Sequence, residues 1–458
     1  MKAVTNHDLA VLVEQAGFER SHAVLARRVN HAARTEHGLV TAYDGASVYW
    51  WLRGRSPEQP APQLLARILG GALGREVGVE ELGFARVTGA SDHQTLRYPA
   101  TLEDSIATAA RLWNRLGRGA GLPAAPFATA AAVEAGWRWH FDPPDQSVAH
   151  RGRIQVGAAD IEALRCCQTQ FVELDKRLGG GHSRGLLADF LARDLAPLLA
   201  GDYPDSVGRE LFQVAAELTC ASAFMFYDVA DHGRAQRAFI QALRMAKAAG
   251  DRILGAHVLA NLATQAICLD RPGEAVRLAH AAIEGAGRTP PAMVTARLYC
   301  TAATAHAQAA DARAFHAAWA TAETALARDD GIIPSWAGYF TAAHLAGSAM
   351  RSLLELDRPG EALAQQEAAM SLPTGNVRTR ALHTALIATA HVRAGHLDQA
   401  CHLAVQAASQ ATKVRSHRVG ARVRQLAVLL RPHAALPEAA AFLEAADAQQ
   451  RQPAIAPA

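Results

Sequence analysis

The sequence predicts an all-α chain, with a small helical domain at the N-terminus followed by an α-solenoid. Three observations lead there. The heptapeptide "LDRPGEA" occurs at Leu269–Ala275 and again at Leu356–Ala362. Small and apolar residues recur at helical spacing on both sides of each copy. The first 85 residues break into short amphipathic stretches separated by Gly and Pro, with arginine gathered among them. At 458 residues the chain exceeds one ordinary compact core, so several domains or a repeat array are expected.

The N-terminal elements follow from their caps. A first helix runs over Asn6–Ala16 and closes at Gly17. A second begins at Ser21, a good N-cap, and carries Leu25, Ala26 and Val29 on one face. After a loop over about 34–44, a short third helix runs from about Ala46 to Arg53 and stops at Gly54. Pro57, Pro60 and Pro62 lead into a fourth, about Gln63–Leu73, and "VGVEELGF" ends the domain. Within "SVYWWLRGRSP", Val48, Trp51 and Leu52 share the buried side. Ser47, Tyr49, Trp50 and Arg53 project outward, with Arg55 just beyond. Residues 20–67 hold seven arginines against three acidic residues, a local excess that suits a polyanion.

Residues 86–156 read as a linker with one connecting helix, "TLEDSIATAARLWNRL", capped by Thr101. In "EAGWRWHFDPPD", Trp137, Trp139 and Phe141 alternate as in a short strand or a docking segment, and the two carboxylates of "DPPD" sit in a rigid turn. "GGGH" at 179–182 reads as a flexible joint, because neither phosphate-loop pattern surrounds it.

From about residue 157 to 445 the text is helix, tight turn, helix. In "LDRPGEA", Asp and Arg end one helix, Pro takes the first position of the next, and Glu lies where the helix dipole favours a negative charge. Weaker copies align on Ala235, Ala238, Ala275, Ala314, Ala362 and Ala400, in steps near 40 residues with one longer step. The excess falls at "ARDDGIIPSWAGYF", a longer loop. The basic stretch "KVRSHRVGARVRQLAVLLRPH" reads as the polar-faced terminal helix of a solenoid, and residues 446–458 as a disordered tail.

These motifs carry a resemblance. Helix, helix, turn, short helix and "GR-P" resemble the helix-turn-helix of the Cro/phage-repressor (XRE) type, with "SVYWWLRGRSP" at the recognition helix. The resemblance implies double-stranded DNA as a partner, a palindromic operator and a homodimer. It also implies base contacts from Ser47, Tyr49, Trp50, Arg53 and Arg55, and phosphate contacts from Arg27 and Arg28. The repeats resemble the tetratricopeptide (TPR) class, though its Trp and Tyr landmarks are missing from most copies. "GGGHSR" and Tyr227–Ala266 are similar to actinobacterial regulators that join such a domain to degenerate TPR repeats. At the level of architecture the RRNPP regulators are similar too, and they imply a peptide or small molecule held inside the superhelix. Candidates on the first helix of each repeat are Tyr227, Asn261, Gln265, Tyr299, His306, His344 and His383.

The remaining readings are negative. Six cysteines show no metal spacing, the histidines are scattered, and no nucleophile elbow or HExxH occurs, so neither catalysis nor a cofactor is expected. No window has 18 consecutive apolar residues, and polar residues interrupt the N-terminal stretch, which points to the cytoplasm and away from a membrane. The expectation is a ligand-responsive transcriptional regulator. The competing one is a TPR adaptor whose N-terminal bundle binds a protein.

Overall fold

The computed structural model describes residues 6–19, 21–37, 41–53, 55, 57, 60–75, 77–84, 95–117, 127–328 and 330–451. Among them the chain is all-α. No strand forms, and the extended pairings are two isolated bridges, His150 with Tyr203 and Gln155 with Asp202. The chain divides into two compact units, residues 1–93 and 94–458.

The first unit holds α1 (His7–Gln15), α2 (His22–His37), α3 (Gly45–Trp51), α4 (Ala61–Leu73) and a 3₁₀ turn at Val79–Leu82. Asn6 ties its ends together. Its side-chain oxygen caps α1 through the Leu9 amide at 3.1 Å, and its amide donates to the Leu82 carbonyl at 3.0 Å. Leu25, Val29, Val48, Trp51, Leu65 and Leu69 fill the core, so α3 buries the side expected of it. Gly17 and Gly74 end α1 and α4 with positive φ. The third and fourth helices each start slightly earlier than expected, and the expected stop at Gly54 lies outside the described residues.

The second unit begins where a linker was expected. Residues 85–94 lie outside the described residues, but from residue 95 the chain is fastened to the repeats. It forms α5 (Leu102–Gly117) and α6 (Thr129–Phe141). Gln241 donates to the carbonyls of Thr95 and Arg97 at 3.1 and 3.0 Å. Arg244 grips both carboxylate oxygens of Asp145 at 2.8 Å, giving "DPPD" a structural use. The "WRWHF" alternation is helical after all. Trp139 slots between Gly255 and Gly285, where an added Cβ would lie 2.3 and 2.1 Å from its ring. Trp137 and Phe141 stay exposed, their rings 5.3 Å apart.

Next come α7 (Ala158–Leu178) and α8 (Gly180–Phe190), the latter running on through a π turn to Leu199. Stacked helix pairs follow: α9 (Asp205–Asp228) with α10 (His232–Ala249), α11 (Arg252–Cys268) with α12 (Pro272–Gly285), and α13 (Ala292–Gln308) with α14 (Ala312–Arg328). After the long loop, α15 (Ala342–Glu355) pairs with a broken second helix, α16 (Pro359–Ala364) and α17 (Gln366–Met370). The array ends with α18 (Val377–Arg393), α19 (Leu397–Ala411), α20 (His417–Leu430) and α21 (Pro437–Arg451). The last helix extends into the stretch expected to be disordered, and residues 452–458 lie outside the described residues.

One turn geometry closes the first helix of five successive pairs. Ala230, Asp270, Ala310, Asp357 and Gly395 all adopt positive φ, in steps of 40, 40, 47 and 38 residues. The next amide in each bonds five residues back, as Arg271 N–H does to Ala266 O at 3.0 Å. Counting five on from the left-handed residue gives Ala235, Ala275, Phe315, Ala362 and Ala400, all fully buried or nearly so. The third repeat therefore places Phe315 at the small-residue position. Ala314, aligned there from the sequence, is one residue out of register and only half-buried.

The two ends of the array meet. Gly179 has φ +81°, and a Cβ there would lie 2.8 Å from the Arg415 carbonyl; at Gly180 it would lie 2.5 Å from the Met225 carbonyl. Gly181 N–H donates to Arg415 O at 2.9 Å, and Arg415 N–H to Leu178 O at 2.8 Å. The glycines serve close approach between distant backbones, so "GGGH" is a packed seam and the expected flexible joint is corrected.

Candidate functional site

First helices of the pairs turn their inner faces toward a common cavity of about 1180 Å³, completed by α7 and by the loop after α14. Of the seven residues expected to face a groove, Tyr227, Asn261, His344 and His383 line it. Gln265, Tyr299 and His306 do not. On α13 the lining stripe is Arg297, Cys300, Thr301, Thr304 and Gln308, and Tyr299 and His306 fall off that helical period. Tyr299 packs against the core cluster of Ala296, Cys300 and Phe340, His306 meets His280 at 3.1 Å, and Gln265 donates to the His232 carbonyl at 2.7 Å.

The loop expected to be long dips inward. Its Ser335, Trp336 and Tyr339 line the cavity. Trp336 stacks on His257 with ring centroids 4.4 Å apart, and Ser335 Oγ donates to Glu217 at 3.1 Å. Asn261 sits at the centre of this network. Its amide contacts His257 Nε2 at 3.1 Å, and its oxygen accepts from Arg297 at 3.0 Å. Arg297 also donates to the Tyr339 hydroxyl at 2.8 Å. Burial holds the His257 imidazole well below its ordinary pKa, with Arg297 adding to the effect. Burial also lowers His344 to about 3, helped by His383, and raises the Glu217 carboxyl. The pocket thus keeps neutral imidazoles beside a fixed guanidinium.

A second network spans the seam. Arg378 on α18 reaches Asp175 on α7 at 2.7 Å and Asp228 on α9 at 3.7 Å. Arg418 on α20 lies 3.6 Å from the same Asp228 and stacks over Tyr227 at 4.9 Å. Asp228 is wholly buried and also accepts from Gly180 N–H at 3.1 Å and Ser416 Oγ at 2.9 Å. The basic C-terminal stretch therefore turns Arg418 and Arg422 into the cavity, a correction to its reading as a polar outer cap. Sequence reasoning missed His257, Arg297, Trp336, Arg378 and Arg418. A charge within the apolar period of "TARLYCTAATAHAQ" was the one signal that could have exposed Arg297.

In the first unit, α3 begins with a reciprocal cap: the Asp44 carboxylate accepts from the Ser47 amide at 2.8 Å and from its hydroxyl at 2.9 Å, and the Asp44 amide donates to Ser47 Oγ at 3.2 Å. The Ser47 hydroxyl is therefore engaged within its own helix. Tyr49 and Trp50 are exposed and meet edge to face at 5.6 Å. The Arg53 guanidinium lies 3.5 Å above the Tyr49 ring, and Arg55 is exposed. Arg27 and Arg28 are exposed on α2 and share a shallow groove of about 560 Å³ with His31 and Arg67.

No helix among the described residues is long and apolar enough to cross a membrane. A family model described as the SP15 N-terminal domain matches residues 9–85, about a sixth of the chain. No curated protein and no solved structure matches.

Proposed function

We propose that the protein is a cytoplasmic DNA-binding transcriptional regulator, homodimeric, whose repeat unit senses a small molecule or peptide. The observation that carries the reading is the two-sidedness of α3. Val48, Trp51 and Leu52 anchor it, while Tyr49 and Trp50 are exposed on its other side, Arg53 and Arg55 follow its end, and Arg27 and Arg28 are exposed on α2. A helix held that way can enter a major groove, with Arg53 and Arg55 offered to guanine edges and Arg27 and Arg28 to phosphates. The family match coincides with this unit, which supports treating it as a module.

The repeat unit supplies the second half of the proposal. Its cavity is lined by aromatic rings and convergent polar groups, a lining that supports its reading as a ligand site. Val133, Trp137 and Phe141 form an exposed apolar stripe at i, i+4 and i+8 on α6, suited to pairing with a second copy. Two copies fit a palindromic operator. A ligand alters operator affinity only through preference for one arrangement of the two readers.

The test is selection of duplexes by the full chain from a random pool, followed by titration at several salt concentrations. The expected binding weakens steeply with salt, and Arg27→Ala lowers the log–log slope by about 1. Arg53→Ala and Arg55→Ala should relax sequence preference. Salt-insensitive binding, or none, would favour the adaptor reading instead.

A further inference from the structure

The cavity wall formed by α15 and α20 carries more positive charge than its neighbours neutralise. Arg351, Arg418 and Arg422 all line the cavity there. Arg418 is matched to Asp228. Arg351 is half-buried, and its Nε is shut away from solvent with no hydrogen-bond partner. Arg422 is also half-buried and bonds the neutral Gln425 at 2.9 Å. Burial, then the repulsion of Arg351, lowers Arg422 to about 10; Glu355, exposed one turn beyond Arg351, offsets this only in part. Elsewhere in the cavity Arg378 has Asp175 and Lys176 has Glu173 at 2.7 Å, while Arg297 lacks a carboxylate but is hydrogen-bonded through all three nitrogens, to Tyr339, Thr301 and Asn261.

Guanidiniums held close without carboxylates carry an electrostatic cost that folding alone does not recover. Planar donors in that state match an oxyanion, which can accept two parallel N–H bonds from each. We infer that the cavity binds an oxyanion-bearing ligand, a carboxylate or a phosphate, whose charged group seats between Arg351 and Arg422 with Arg418 at its edge. The inference rests on the reading of the cavity as the ligand site, and adds the ligand's chemical class. The cavity extends well beyond that seat, toward Trp336 and Asn261, so the ligand has a body as well as a head.

The experiment is calorimetric titration of the full chain with two probes: inorganic phosphate, and an acetylated tetra-alanine with a free C-terminal carboxylate, its amide serving as control. At least one oxyanion should bind, and which one binds separates a phosphorylated ligand from a peptide end. Arg351→Met and Arg422→Met should each weaken that binding at least tenfold. Thermal melts without ligand give the discriminating readout. Removing a repelling cation should leave the melting temperature unchanged or higher, whereas Arg378→Met, which strands Asp175, should lower it. Binding of neither oxyanion, or undiminished binding by the variants, overturns the site. So does a fall in melting temperature, or failure to fold, on Arg351→Met, because the cation would then be structural. Retention on duplex DNA is measured on the same preparation. A chain that binds DNA and neither oxyanion loses this site alone, and a chain that binds an oxyanion but ignores DNA keeps the site and loses its role as a sensor.

Discussion

Among the described residues, four hold a backbone conformation that L-amino acids avoid: Ala230, Asp270, Ala310 and Asp357 have φ between 56° and 63°. Each costs about 1–2 kcal/mol relative to glycine, which the fifth turn has at Gly395. Ala310→Gly should therefore raise stability by about 1 kcal/mol in urea unfolding. Asp270 is less promising for the same change, since its carboxylate accepts from Gln308 at 3.2 Å. Histidine supplies a pH dependence of known sign. A depressed folded pKa means the unfolded chain binds the proton first, so stability is full above about 6.5 and falls as pH drops toward 3. His344→Gln should flatten the plot of stability against pH between 4 and 6 by about 1 kcal/mol per unit. The LDRPGEA turn is legible in the amino-acid order because proline and the acidic first turn are local signals. The registration of the third repeat is not, because Ala314 and Phe315 are adjacent and only burial chooses between them.

At the scale of elements, α6 makes opposite uses of similar residues. Trp139 fills the notch left by Gly255 and Gly285, while Trp137 and Phe141, two positions away on either side, remain outside. Filling the notch should be costly. Gly285→Ala would drive a Cβ into the indole and is expected to lose about 1–3 kcal/mol, seen as a lower unfolding midpoint. Trp137→Ala, by contrast, should leave stability nearly unchanged and lower the sedimentation mass if the stripe pairs two copies. The alternation that suggested a strand failed because three aromatics at spacing two fit either period, and only the glycines on α11 and α12 decide which ring is buried. The loop after α14 was visible as an interruption of the period. Its inward course was not, since that depends on Glu217, His257 and Arg297 from three other helices.

For the whole molecule, the all-α class and the repeat architecture were legible because periodicity is a local property. The cavity network was legible only in part. Asp175 and Arg378 stand 203 positions apart, and nothing in either neighbourhood announces the other. An open solenoid has free ends, each repeat touching only its neighbours, so copies can be gained or lost with little consequence beyond length. Here the seam of Gly179–Gly181 against Arg415, with Arg378 and Arg418 on Asp228, joins the first helices to the last. Inserting one more copy of the LDRPGEA pair would carry Arg415 away from Gly181 and strand Asp228 without its cations. Closure therefore sets the number of helix pairs that fit between Gly181 and Arg415, a limit that an open solenoid does not have.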